Sequence, residues 1–154
     1  MSITIKAPES LNKIGNRKSV FLAGSIEMGV AEDWQSAIEQ LLIKEDIAII
    51  NPRREGWDAS WEQKISNVKF RNQVVWELDG LEKCDVVAMY FDENTKSPIS
   101  ILEFGLFARS GKMIVCCPAE FYRAANIDIV CTKYGVKQVE TLQELSEAVI
   151  QALK

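Results

Sequence analysis

Five short apolar runs, set between stretches with helical spacing, organise this chain. The first, Ser19 to Ala23, closes on Gly24-Ser25 and predicts a central strand with a turn at its carboxyl end. Ile47 to Ile50 predicts a second strand, stopped by Asn51-Pro52. Val86 to Phe91 and Met113 to Cys117 predict two more, and Val136 to Val139 a short last one. Between them the apolar positions change to a helical period. Trp34, Ala37, Ile38, Leu41 and Leu42 lie on one helical face behind Asp33. A helix is expected across Asn72 to Asp85, and another from Ser97 as N-cap, with Pro98 at its first position and Gly111 as the stop. Asn126 to Tyr134 reads as a helix closed by Gly135. Thr141-Leu142-Gln143-Glu144 is a capping box that opens a final helix through Leu145, Ala148, Val149 and Leu153. Two stretches fall outside the pattern. Residues 1–18 predict a loose or edge segment, and residues 53–66 form a long polar loop carrying Arg53, Arg54, Trp57 and Trp61.

Strands that alternate with helices predict an α/β fold of three layers. The sheet should be mainly parallel, five-stranded and doubly wound, flavodoxin-like or more broadly Rossmann-like, within a single domain over residues 1–154. Ligands of such sheets sit beyond the carboxyl ends of the strands. Those ends are Gly24-Ser25, Asn51-Pro52, the loop after Phe91 and the segment after Cys117. Glu103 lies on the helix after the third of these, among Leu102, Phe104, Leu106 and Phe107, and a carboxylate in an apolar stretch needs a reason.

Composition narrows the chemistry. A chain of 154 residues can bury roughly two-thirds of its unfolded surface, enough for its own core. The net charge is −4 with no basic cluster, which argues against binding long nucleic acid. No apolar run is long enough to span a bilayer and the N-terminus lacks a signal-peptide pattern, so no membrane partner is expected. Four cysteines without CxxC or zinc spacing point to reduced, buried thiols in a cytoplasmic protein. With no histidine anywhere, Ser-His and Cys-His catalysis and the usual zinc sites drop out. Acid/base work near neutral pH must then use carboxylates, Lys, Tyr or Cys. Gly24-Ser25-Ile26-Glu27-Met28-Gly29 matches neither the dinucleotide fingerprint nor a P-loop, which disfavours nicotinamide redox chemistry and NTP hydrolysis.

From about Val20 to Tyr134 the chain resembles the nucleoside 2-deoxyribosyltransferase superfamily, which includes the deoxynucleoside 5′-monophosphate N-glycosidases. The resemblance rests on Phe21-Leu22-Ala23-Gly24-Ser25, Asn51-Pro52, Glu77-Leu78-Asp79-Gly80-Leu81, Cys84-Asp85 and Leu102-Glu103-Phe104-Gly105. The family's nucleophilic glutamate sits in a similar Glu-x-Gly, which implies Glu103. Its acid/base aspartate precedes a Leu-x-Gly step, which implies Glu77, here with the longer side chain. The resemblance also implies a crevice lined by Gly24, Ser25, Asn51, Trp57, Asn72, Asp79, Ser97, Ser100 and Asn126. Asn126 would approach a neighbouring subunit's site in a homo-oligomer.

The chemistry agrees. A carboxylate can trap an oxocarbenium-like sugar as a glycosyl ester, while a second carboxyl group handles the proton on the base. The partners would be a nucleoside or nucleotide and a free nucleobase, and no metal or redox cofactor is required. The helix N-terminus is expected to keep Glu103 ionised. Each residue also has a plainer account. Glu103 could serve only the helix dipole. Glu77, Asp79 and Glu82 could form a solvated face, with Asp79 the substitute acid. Trp57, Trp61 and Trp76 could be packing, and Asn126 and Ser97 could be N-caps. The position six residues before Glu103 separates the two activities. The transferases carry aspartate there for a free 5′-hydroxyl and the monophosphate glycosidases carry serine; this chain has Ser97, with Ser100 one turn on. The competing reading is a non-catalytic nucleotide-binding domain on the same fold.

Overall fold

The computed structural model describes residues 1–26, 32–54 and 60–154. Strands and helices alternate as β1 (Ile3–Lys6), β2 (Lys18–Gly24), α1 (Trp34–Leu41), β3 (Ile47–Asn51), α2 (Val68–Lys83), β4 (Val86–Tyr90), α3 (Pro98–Phe107), β5 (Met113–Cys116), α4 (Ala124–Tyr134), β6 (Lys137–Val139) and α5 (Leu142–Ala152). The six strands run parallel in the order β1-β3-β2-β4-β5-β6. Without β1 this is the expected five-stranded, flavodoxin-like order. The sixth strand comes from the weakly patterned N-terminus. It pairs only with β3, Ile3 opposite Ala48, and buries only Ile5, so an edge position explains why its pattern is faint.

Strand side chains alternate between two cores. Phe21, Ala23, Ile50, Val87, Met89 and Val115 face α2, α3 and α4, where Leu81, Phe104 and Ile127 pack. Val20, Leu22, Ile49, Ala88 and Ile114 face α1 and α5, where Trp34, Ile38, Leu145 and Val149 pack. Gly80 lets α2 lie close on the sheet: a Cβ there would come within 2.7 Å of the Phe21 ring. The far end of α2 is tied to the sheet by Lys112, whose Nζ donates to the carbonyls of Leu81 at 2.6 Å, Glu82 at 3.0 Å and Cys84 at 2.9 Å. No helix among the described residues is long and apolar enough to cross a membrane.

Several helix ends differ from expectation. α2 starts at Val68, where the Asn67 side chain accepts from the Phe70 N–H, rather than near Asn72. α3 ends at Phe107 with Ala108 as its C-cap, not at Gly111, which lies in the following turn. Asn126 is the third residue of α4 and not its N-cap; that position is Arg123. Thr141 caps α5 as expected, accepting from the Glu144 N–H at 3.0 Å.

Candidate active site

Two acids, Glu77 and Glu103, stand close enough for the charge of one to act on the other. Glu77 lies on α2 one turn before Gly80, so the close approach of that helix to the sheet carries it inward. Glu103 lies on α3 beside Phe104, and both are buried. Burial raises Glu77 from the usual carboxylate range to about 8, and the charge of Glu103 adds to the rise. Burial alone raises Glu103 to about 7. Among the described residues neither carboxyl receives a hydrogen bond. Burial and the neighbouring charge thus leave Glu77 the more basic of the two and Glu103 the more acidic.

This corrects the expectation that the helix N-terminus keeps Glu103 ionised. Glu103 is the sixth residue of α3, beyond the first turn, where the dipole has faded, and desolvation wins. The account of Glu103 as a dipole residue fails for the same reason. Asp79 lies on a different face of α2 from Glu77. Two residues on, it points about 200° around the helix and is solvent-exposed. Asn72 is exposed as well, on the first half of α2.

Ser25, Thr95 and Ser97 form a buried ring of hydroxyls. Ser25 Oγ lies 3.0 Å from Thr95 Oγ1 and 2.7 Å from Ser97 Oγ, and Thr95 Oγ1 lies 2.7 Å from Ser97 Oγ. The Asp92 N–H donates to Ser25 Oγ at 2.9 Å, and Thr95 Oγ1 donates to the Asp92 carbonyl at 2.9 Å. Trp34 Nε1 donates to the Ser25 carbonyl at 2.9 Å, which ties the ring to α1. Ser97 is not a side-chain cap. Its backbone is left-handed, at φ 46° and ψ 55°, and its carbonyl accepts from the Ile101 N–H at 3.0 Å to close the first turn of α3. A non-glycine residue held there costs on the order of 1–3 kcal/mol, so the surroundings must over-determine it. Ser100 follows one turn on, also buried.

Asn51 closes the end of β3. Its Nδ2 donates to Glu39 at 2.7 Å and its Oδ1 accepts from the Arg53 N–H at 2.9 Å, so both ends of the amide hold the turn. Gly24 pairs with Tyr90 at the end of the β2–β4 ladder at φ 135°, where an added Cβ would meet the Tyr90 backbone. Trp57 lies outside the described residues. Asn126 is exposed on α4. Trp76 is packing: it lies 6.4 Å from Phe21 and its Nε1 donates to the Glu9 carbonyl at 2.7 Å. Trp61 sits between Arg54 at 5.1 Å and Lys69 at 5.6 Å. A cleft of about 330 Å³ opens at the opposite, amino end of the strands, lined in part by Val86, Lys112, Met113 and Lys137. Neither acid lines it, and Lys112 is already committed to the end of α2.

Sequence reasoning missed Thr95 and Gln73. Gln73 lies one turn before Glu77 on the same face, buried, donating to the Pro52 carbonyl at 3.3 Å and accepting from Arg54 at 3.4 Å. Its spacing of four from Glu77 was the available signal. For Thr95, inside a polar loop, no periodic signal existed.

Residues 17–121 match the family described as "Nucleoside 2-deoxyribosyltransferase like". The fold is similar to that of a conserved protein from Enterococcus faecalis V583. The TM-score is 0.66 at 13% identity, over 89% of this chain and 99% of that one. No curated protein matches the chain. The matched span contains the hydroxyl ring and both crevice acids, and the chain belongs to the nucleoside 2-deoxyribosyltransferase-like family.

Proposed function

We propose that the protein is an enzyme that cleaves the N-glycosidic bond of (deoxy)nucleosides and passes the sugar to a second base through a glycosyl ester on Glu103. The observation that carries this reading is a buried Glu103 whose charge acts on a half-buried Glu77, with no hydrogen bond to either among the described residues. In the first step the bond from C1′ to the base nitrogen breaks, and a bond from C1′ to a Glu103 carboxylate oxygen forms. The departing base takes the proton held by Glu77. In the second step the nitrogen of the incoming base attacks C1′, the ester bond breaks, and the proton of that nitrogen returns to Glu77. Water in place of the second base gives hydrolysis. These steps use carboxyl groups alone and require no cofactor. Four free cysteines, three buried and one half-buried, suit a cytoplasmic setting.

The second reading is a (deoxy)nucleoside 5′-monophosphate N-glycosidase, favoured by Ser97 and Ser100 at the start of α3. The ring weighs against it. Thr95 spends its proton on the Asp92 carbonyl, and Ser25 and Ser97 Oγ lie 2.7 Å apart, so these hydroxyls already have partners within the ring. The experiment compares kcat/KM for a deoxynucleoside and its 5′-monophosphate, with and without a second free base, read by chromatography. The wild type should prefer the nucleoside and need the second base for fast turnover. A preference for the monophosphate that Ser97→Asp reverses would make the hydrolase reading correct. A wild type that turns over none of these substrates leaves a non-catalytic binding domain.

The working unit in this proposal is a homo-oligomer. Ile99, Leu102 and Leu106 stand outward on α3, more than half exposed, and Tyr122 and Ile129 do the same around α4, where Asn126 is also exposed. Asn126 would then lie near a neighbouring chain's crevice. Light scattering on active protein should give a dimer or larger assembly, and a fully active monomer would contradict it.

A further inference from the structure

We infer that Thr95 is a positioning residue for Glu103: its hydroxyl locks Ser97 in the left-handed conformation from which α3 starts, and so sets where α3 presents the carboxylate. The inference rests on the proposed role of Glu103. It begins from the backbone. Ser97 at φ 46° is the one non-glycine residue with positive φ among the described residues. Nothing local favours that conformation for serine. Its own carbonyl already closes the first helical turn on Ile101, so any relaxation at Ser97 must re-aim the helix that follows.

Three elements meet at the ring, and Thr95 is its connector. Ser25 belongs to the end of β2, where its N–H donates to the Tyr90 carbonyl at 3.0 Å. Thr95 is held from the β4 side, with both its N–H and its hydroxyl donating to the Asp92 carbonyl, at 3.1 and 2.9 Å. Asp92 is anchored in turn, its carboxylate accepting from the N–H groups of Glu32 at 3.0 Å and Asn94 at 2.9 Å. Thr95 Oγ1 is thus an acceptor of fixed position, 2.7 Å from Ser97 Oγ. Ser25, Thr95 and Ser97 are all at most 5% exposed, so water does not replace a lost partner without rearrangement. From Ser97, α3 runs six residues to Glu103, about 9 Å of continuous helix. A small rotation at the start of that lever displaces the carboxylate at its other end.

The test uses Thr95→Val, which keeps the shape and deletes the hydroxyl, and Thr95→Ser, which keeps the hydroxyl. Two quantities are read on the intact protein: kcat and KM with a deoxynucleoside and free base, and the titration of the Glu103 carboxyl by carbon NMR. The Glu103 signal is assigned by its loss in Glu103→Gln. Thr95→Val should lower kcat by about 10- to 100-fold, the scale of a misplacement of an ångström or less, with KM within about threefold. It should also displace the Glu103 titration. Thr95→Ser should restore both. If Thr95→Val does not fold, Thr95→Ala carries the same expectations. An unshifted titration with wild-type kcat in the variant lacking the hydroxyl would overturn the inference. Equal impairment in Thr95→Ser would also overturn it, since packing would then be the cause. If the wild type turns over no nucleoside or nucleotide, the proposed function fails on its own, and the titration still decides whether Thr95 positions Glu103.

Discussion

Glu103→Ala will release no base from any substrate the wild type turns over, while keeping its circular dichroism spectrum and cooperative unfolding. Two arguments meet at this residue. No other group in the crevice is proposed to trap the sugar, so its removal ends the covalent path. Its burial without a hydrogen bond is also a cost to the fold, which a small apolar side chain does not carry. The second argument gives the variant an independent readout in the pH dependence of stability. A carboxyl whose folded pKa is raised adds stability that is fully present below its unfolded value of 4.5. That contribution is lost as pH rises through the folded values, about 7 for Glu103 and about 8 for Glu77. Wild-type stability should therefore decline from about pH 4.5 to about pH 8. Glu103→Ala removes its own share and relieves Glu77 of the neighbouring charge, so its decline should be shallower and end at lower pH. Chromatographic base release near wild-type rate would sink the covalent mechanism. An unchanged pH slope in urea titrations would sink the electrostatic account.

Gly24→Ala will not give a stable fold, although the change adds one methyl group. Its Cβ would stand 2.0 Å from the Tyr90 carbonyl oxygen and 2.9 Å from that residue's N and C, all backbone atoms of a paired strand. Backbone in a central ladder has no rotamer to swing away. The native φ of 135° is itself closed to a side chain. Both penalties act at once, in a domain whose total stability is of the order of 5–15 kcal/mol, and a loss of more than about 4 kcal/mol is expected. Soluble yield and urea unfolding measure it. Gly105→Ala is the control from the same motif set. It sits in α3, a Cβ there meets nothing within 4 Å, and the replacement should stabilise by about 0.5–1 kcal/mol. A well-folded Gly24→Ala protein would show that β2 and β4 can part at their carboxyl ends.

The legible parts of this chain were those with a period. β2 to β5 follow from continuous apolar runs, because both their faces are buried, and the helices from apolar spacing, because each buries one face. β1 was faint since an edge strand of four residues leaves most of its side chains half in water. Glu103 stood out because a carboxylate among Leu102, Phe104 and Leu106 breaks a pattern. Thr95 breaks none. It lies in a polar loop, and only folding brings it to Ser25, 70 positions earlier. Ser97 shows a related limit. Serine before proline at a helix start signals a cap, and the left-handed conformation that turns its hydroxyl into the ring cannot be read from residue type.

Gly80 acts as a spacer of zero thickness. The Phe21 ring occupies the space that a side chain at position 80 would need, so the distance between helix and sheet is fixed by an absence. Glu77 sits one turn away and inherits the constraint. A methyl group at position 80 would therefore push α2 off the sheet and carry Glu77 with it, so this acid owes its place to a neighbour with no side chain.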